Sequence, residues 1–361
     1  MLTTAAGQAI PEGLAAALAG ETTLAVLPEH DDGRYRSMLH LDEPLEYPDA
    51  AVIVATSGST GTPKGVVLSA RAIRASANAT HARLGGPGSW VCALPPHYVA
   101  GLMTHARGIV GGGGTASCAS DLHDLPAPLG RSYLSVVPAQ LGGALDDGAL
   151  AARLVAYDAI LVGGSAVPQT LLRRARGRGL NVVVSYGMSE TCGGCVYDGV
   201  PLDGVAVDIM AGRIELSGDV AFSGYRMQPA LTAQTLRGRT VITHDRGAWD
   251  GHRLTVLGRD DDVVISGGVN VDLAQLQAVC DELWGVRDGR VVVFDVPDER
   301  WGARIVAATT GDVAYAEVRE RLRDRVEPAA VPKELARLVG AGASVTGKID
   351  RALLRAEFEA R

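Results

Sequence analysis

The decapeptide Thr56-Ser57-Gly58-Ser59-Thr60-Gly61-Thr62-Pro63-Lys64-Gly65 constrains this chain more than any other segment. It is dense in hydroxyls and glycines, carries one cation, and lies between two short apolar β-type runs, 51–55 and 66–68. Glycine lets the backbone approach a ligand closely, and successive N–H groups in such a loop form a concavity for phosphate oxygens. The common P-loop spacing does not fit it, because Pro63 precedes Lys64 and Gly65 follows. The run after Lys64 reads first as strand, with a helix starting only near Ser69. The lysine itself is informative. Of 34 lysines and arginines, only Lys64, Lys333 and Lys348 are lysine. An ammonium is a compact point charge with three rotatable donors, unlike the planar guanidinium fork. A chain that writes arginine almost everywhere keeps lysine in this loop and in Val345-Thr346-Gly347-Lys348-Ile349-Asp350-Arg351.

At 361 residues the chain is long for one core, so two domains are expected. With 47% apolar and 21% charged residues it has the composition of a soluble globular enzyme. A net charge of −7 opposes a nucleic-acid role, which wants a basic face. No apolar stretch approaches the about 18 residues of a membrane span. The first residues lack the basic start and apolar core of a signal peptide, so the cytoplasm is the expected location. Cys92, Cys118, Cys192, Cys195 and Cys280 do not make a disulfide framework in a chain this long. Cys192-Gly-Gly-Cys195 has no second pair and no nearby histidines, and reads as small thiols in a glycine-rich turn.

Residues 1–50 are alanine-rich, then acidic, and read as loop without a site. From 51 to about 220, strand candidates at 91–94, 133–137, 159–162 and 181–185 alternate with helical patterns at 69–84, 138–145 and 167–178. That alternation predicts a layered α/β domain with a largely parallel sheet. Gly-rich turns and β-type segments (213–216, 240–243, 253–257) dominate 212–259. Beyond the acidic triplet Asp260-Asp261-Asp262, which reads as an exposed boundary, the pattern restarts as a compact α+β unit. Its strands are expected at 263–265, 290–294 and 305–309, and its helices at 273–283 and 315–326. The expected division is therefore 1–260, a large layered α/β N-terminal domain, and 261–361, a small mobile α+β C-terminal domain.

Three further clusters carry chemistry, the last of them Thr346-Gly347-Lys348-Ile349-Asp350-Arg351 near the C-terminus. Ser185-Tyr186-Gly187-Met188-Ser189-Glu190-Thr191 follows an apolar strand, where ligands of open α/β sheets collect. A carboxylate beside two hydroxyls there suits Mg²⁺, which favours hard oxygen donors and substrate phosphate. Thr243-His244-Asp245 is followed by Gly258-Arg259-Asp260-Asp261-Asp262 and Ser266-Gly267-Gly268-Val269-Asn270-Val271. An Asp at a strand end can bind ribose hydroxyls, and an Arg can join it or touch phosphate. Taken singly, each of these reads as a turn, a cap or a surface pair, and Lys348 as an exposed tail lysine.

In this order, TSGSTGTPKG, YGMSET, THD, GRDDD…SGGVNV and TGKIDR resemble the adenylate-forming superfamily of acyl-CoA synthetases, luciferases and peptide-synthetase adenylation domains. The likeness runs from about residue 51 to the end. Two departures stand out: the phosphate loop comes early, so the first subdomain is trimmed, and His244 replaces the usual glycine beside Asp245. The short N-terminus, Leu94-Pro95-Pro96-His97-Tyr98-Val99-Ala100-Gly101 and YGMSETCGGCVYDG look most like the o-succinylbenzoate–CoA ligases of menaquinone biosynthesis.

The resemblance implies joining of a carboxylic acid to CoA through an acyl-adenylate, with ATP, Mg²⁺ and CoA as cofactors and co-substrate. It implies that Thr56, Ser57, Gly58, Ser59, Thr60, Gly61 and Lys64 hold the β- and γ-phosphates. Glu190 binds Mg²⁺, and Thr191 stands near the α-phosphate. Adenine lies against Gly163, Gly164, Ser165, Tyr186, Gly187 and Met188, and ribose on Asp245 and Arg259. Lys348 bridges the attacking carboxylate and the α-phosphate. Asp261 is the hinge, and Gly268 lines the CoA tunnel. His97, Ser185 and Gly187 fall to the acid, His97 having a capping or core-edge role as its alternative. A second carboxylate could meet Arg107, Ser135, Ser165 or Ser185. Another acid, or a carrier protein in place of CoA, is the competing expectation. No nucleic-acid or membrane partner is expected, and a homodimer is compatible with the sequence.

Overall fold

The computed structural model describes residues 1–31, 33–56, 64–286, 290–309, 311–337, 349 and 351–359, and among them the strands form four sheets. The first sheet takes Leu2–Ala6, Thr23–Leu27, Ala50–Thr56, Lys64–Ser69 and Gly224–Tyr225 in that order. Its first three strands are parallel, and the last two pair antiparallel. Residues 1–50 are therefore not mainly loop. Thr23–Leu27 is buried throughout, and helix Ile10–Ala19 buries Ile10 and Leu14. A strand buried on both faces, like Thr23–Leu27, has no alternation to read, so periodicity missed it.

The second sheet is the parallel one the alternation predicts. Its order is Val200–Pro201, Gly193–Tyr197, Val182–Met188, Ala159–Val162, Ser132–Val136, Ser89–Cys92, Thr115–Ser117. From Val182–Met188 to Thr115–Ser117 all pairs are parallel. Helices Ala70–Arg83, Pro138–Asp146 and Gln169–Gly177 fall where expected. Ser69 ends the strand after Lys64 and caps Ala70–Arg83, its hydroxyl accepting from the Ala72 amide at 3.1 Å. Such a cap stabilises a helix by about 1 kcal/mol. Helix Val99–Gly111 had no assignment in the sequence. It is buried from Gly101 to Gly108, so it shows no polar face. Its glycines allow close approach: a Cβ on Gly101 would lie 2.4 Å from the Pro95 carbonyl oxygen, and one on Gly108 2.1 Å from Thr115 Oγ1.

The third sheet is antiparallel: Val205–Met210, Arg213–Gly218, Thr240–Trp249 and Leu236–Arg237, with Leu254–Arg259 also on Thr240–Trp249. The last sheet holds Val269–Asp272, Val263–Ser266, Gly302–Thr309 and Val291–Asp298, with Glu334–Arg337 beside Gly302–Thr309. Helices Leu273–Trp284 and Tyr315–Arg323 close a separate core around Leu276, Val293, Ile305 and Val318. This is the expected α+β unit. Between the two sheets Asp260–Asp262 makes one 3₁₀ turn. It is not a free acidic surface. Asp260 accepts from Arg213 at 2.8 Å, Asp261 from Arg259 at 2.7 Å, and Asp262 from Arg351 at 2.5 Å. Arginines from elements on both sides neutralise the triplet. No helix of the described residues is long and apolar enough to cross a membrane.

Candidate active site

The parallel strands of the second sheet deliver their C-terminal loops to one edge. His97 follows Ser89–Cys92, Gly163-Gly164-Ser165 follows Ala159–Val162, and the turn Ser189–Thr191 follows Val182–Met188. This is the edge at which open α/β sheets bind ligands.

A chain of polar side chains starts there. The Tyr186 hydroxyl donates to Asp245 Oδ2 at 2.7 Å, and Arg259 Nη1 donates to Asp245 Oδ1 at 3.2 Å. Strand pairing sets this geometry, since Asp245 lies opposite Arg259. The Asp245 amide donates to Thr243 Oγ1 at 3.0 Å, within the strand Thr240–Trp249, so Asp245 lies in mid-strand rather than at a strand end. Arg259 also forks onto Asp261, Nε to Oδ1 at 2.7 Å and Nη2 to Oδ2 at 2.9 Å. Burial, then the Asp245 charge, raises the Tyr186 hydroxyl far above its ordinary value, so it acts only as a neutral donor. Burial pushes the Asp261 carboxyl up, but the Arg259 fork outweighs it and holds it below the usual range. The structure thus joins Tyr186, Asp245, Arg259 and Asp261 in one network.

A second group joins the phosphate-loop hairpin to the Ser189–Thr191 turn. Thr56 and Lys64 face each other across the hairpin. The Lys64 ammonium sits 5.4 Å from the centroid of the Tyr225 ring, and the Tyr225 hydroxyl donates to Glu190 Oε1 at 2.6 Å. Tyr225, which the sequence reading missed, therefore stands between the two charges. Oε2 of Glu190 and the half-buried hydroxyl of Ser189 carry no hydrogen bond among the described residues. One carboxylate with a neighbouring hydroxyl is a sparse hard-oxygen set. It fits Mg²⁺, which is usually held by one or two carboxylates plus substrate phosphates and waters.

Thr191 turns inward at this turn. It is fully buried, and its hydroxyl accepts from the Met188 amide at 3.0 Å and donates toward the Gly193 carbonyl at 2.8 Å. Its capacity is spent on shaping the turn, and Ser189 is the hydroxyl left available there. Around it the backbone is close-packed: a Cβ on Gly187 would lie 2.1 Å from the Gly193 carbonyl oxygen, and one on Gly163 2.9 Å from that of Ser185. Cys192 and Cys195 are buried free thiols, and burial pushes that of Cys195 up to about 12.

His97 packs on Tyr98, ring centroids 4.3 Å apart, and edge-on to Tyr35 at 6.2 Å. Burial lowers its pKa, favouring the neutral ring. On one face of the parallel sheet, the Trp90 and Tyr133 rings pack at a 43° tilt with centroids 4.9 Å apart, and the Arg107 guanidinium lies 5.1 Å from the Trp90 centroid. Strand alternation puts Ser135 on the face of Tyr133, and Ser185 on that of Val183, which packs with this cluster. Arg107 is buried, makes no ion pair among the described residues, and its Nε has no hydrogen-bond partner; the buried Ser135 hydroxyl also lacks one.

Residues 57–61 and Lys348 lie outside the described residues. Gly268 sits in the exposed turn between Val263–Ser266 and Val269–Asp272, with no atom within 4 Å of where a Cβ would be. It is not brought against the groups above. Met188, Gly164 and Ser165 stay on the sheet edge with Tyr186.

A family model described as AMP-binding enzyme matches residues 8–216. A protein of Mycobacterium tuberculosis named "Probable 2-succinylbenzoate–CoA ligase" is 42% identical over 328 residues, covering 86% of this chain and 85% of its own length. A 2-succinylbenzoate–CoA ligase of a Geobacillus species is 30% identical, with 83% of this chain covering 65% of that protein. The fold matches the Bacillus subtilis o-succinylbenzoate CoA synthetase in complex with its acyl-adenylate intermediate, with a TM-score of 0.75 at 22% identity (98% of this chain, 83% of that one). It also matches the amide bond synthetase McbA of Marinactinospora thermotolerans, TM-score 0.73 at 24% identity (99% and 80%). The first two sheets lie largely within the matched span, and the chain belongs to the AMP-binding enzyme family.

Proposed function

We propose that this chain is an acid–thiol ligase that joins o-succinylbenzoate to CoA at the expense of ATP, through an acyl-adenylate, in the cytoplasm. A carboxylate oxygen of the acid attacks the α-phosphorus of ATP and pyrophosphate leaves. The CoA thiol then attacks the acyl carbon and AMP leaves. Both reactants of the first step are anions, so the protein's work is positioning and charge neutralisation.

The network Tyr186–Asp245–Arg259 receives the ribose, Asp245 accepting from its hydroxyls. Lys64 and residues 56–61 take the β- and γ-phosphates. Glu190 with Ser189 holds Mg²⁺, which when bound neutralises phosphate charge. Thr191 positions that turn from inside. Lys348 supplies the cation between the acid and the α-phosphate. The chain divides at 260/261, and Asp261, forked on Arg259, is the hinge. Gly268 belongs to the CoA path.

The observation that carries the choice of acid is Arg107. A buried guanidinium with no carboxylate partner is costly unless something else neutralises it. From its helix it overlies Trp90 on the sheet face that strand register also gives to Ser135 and Ser185, and a substrate with a second carboxylate would supply the missing charge. The 42% identity to a protein named for this acid points the same way. ATP-dependent pyrophosphate release tests the reading with o-succinylbenzoate, benzoate, succinate and a fatty acid, with and without CoA. Preference for o-succinylbenzoate supports it, and turnover only with another acid overturns the choice of substrate.

A further inference from the structure

We infer that Tyr225 is a positioning residue that keeps the phosphate lysine and the metal carboxylate apart and correctly aimed. This rests on the reading of Glu190 as the metal carboxylate.

Strand pairing places the ring. Tyr225 lies opposite Val66. Side chains alternate along a strand, so Lys64 and Val66 share a face, and Lys64 is the diagonal neighbour of Tyr225. The same alternation turns Arg226 to the other face. There it is fully buried, donating to the carbonyls of Leu39, His40, Glu43 and Pro44 and pairing with Glu46. The Arg226 amide adds a 2.8 Å bond to the Gly65 carbonyl, and Phe222 packs edge-on to the Tyr225 ring at 4.9 Å. Tyr225 therefore sits on a short strand anchored from behind.

Its two ends then meet opposite charges. The ring face carries negative quadrupole density and receives the Lys64 ammonium, while the hydroxyl donates to Oε1 of Glu190. Among the described residues no ion pair joins Lys64 to Glu190. Without the ring between them, a flexible lysine and a nearby carboxylate would pair, and both would be withdrawn from the nucleotide. The hydroxyl also occupies Oε1, which leaves Oε2 as the oxygen free to face a cation.

Two variants separate these roles. Y225F keeps the ring under Lys64 and loses the donor; Y225L loses both. The readout is binding, not turnover: ATP affinity by calorimetry with Mg²⁺ and with EDTA, the ratio of the two reporting metal-assisted affinity. The wild type is expected to show a ratio well above one, and Y225F to reduce it about tenfold, the typical effect of one hydrogen bond to a charged group. Its EDTA affinity should stay unchanged. Y225L should weaken ATP binding in EDTA as well, because Lys64 is then free to pair with Glu190. Thermal midpoints of both variants report folding separately. A wild-type ratio retained in Y225F overturns the role given to Tyr225. A wild type with no metal-dependent ATP affinity overturns the site reading on which that role rests.

Discussion

The Asp245 carboxylate accepts from the Tyr186 hydroxyl at 2.7 Å on Oδ2 and from Arg259 at 3.2 Å on Oδ1, so one acidic side chain ties the sheet edge to the strand leading into the acidic triplet. Tyr186 lies on a strand of the parallel sheet, and Asp245 and Arg259 on paired strands of the antiparallel one. Asp245 to Asn keeps the size and loses the charge that orders both partners. ATP affinity should fall about tenfold or more, the scale for a charge-assisted hydrogen bond. Titration of ATP binding by calorimetry checks this, and unchanged affinity would remove Asp245 from the nucleotide site.

Arg107 is a buried cation with no carboxylate partner among the described residues, so stability and function should move in opposite directions there. Burying a charge that no partner neutralises carries a desolvation cost, which an apolar side chain of similar volume removes. Arg107 to Met should therefore raise the unfolding midpoint while cutting kcat/KM for o-succinylbenzoate about a hundredfold. The loss with benzoate, which has no second carboxylate, should be smaller. Equal losses with both acids would contradict the assignment.

Arg226 should behave in the opposite sense, since its guanidinium is fully satisfied by backbone carbonyls and Glu46. Arg226 to Ala leaves those carbonyls unpaired and frees residues 39–46 from the first sheet. The expected cost is about 3 kcal/mol in urea unfolding. A loss below about 1 kcal/mol would mean the segment is held by other contacts.

Three histidines set a pH dependence. Burial lowers the pKa of His81, His97 and His105 below the ordinary 6.5; at His81 the Arg107 charge adds to it. In the unfolded chain they take up protons at pH values where the folded chain keeps them neutral. The unfolded state then binds more protons, so stability rises with pH in that range. Going down, stability should begin to fall as pH drops through about 6.5 and continue toward the lowered folded values. Urea midpoints at pH 7.5, 6.5 and 5.5 measure it, and a flat profile across that window would contradict the buried neutral rings.

The parallel sheet was legible because its strands are short β-branched runs between periodic helices, and Ser69 marks a helix start by its hydroxyl. The first fifty residues were not, since Leu2–Ala6 is placed by pairing with Thr23–Leu27, and that strand by pairing with Ala50–Thr56, rather than by any local alternation. Val99–Gly111 was missed because every side of it is covered. Asp245 and Arg259 were legible as motif letters, yet their meeting with Tyr186 depends on strand register. The sequence did not tell which of the two hydroxyls flanking Glu190 turns inward: Thr191 does, and Ser189 does not. Tyr225 had no signal at all: nothing in spacing relates 225 to 64 and 190, and only the pairing of Gly224–Tyr225 with Lys64–Ser69 brings them together.

The central claim is that a carboxylate oxygen of the acid ends on AMP. The most direct measurement uses o-succinylbenzoate labelled with ¹⁸O in its carboxylates, incubated with ATP, Mg²⁺, CoA and the enzyme. Mass spectrometry should find one ¹⁸O in AMP and the o-succinylbenzoyl thioester of CoA as the other product. Unlabelled AMP, or label carried into a phosphate released with ADP, would contradict the acyl-adenylate route.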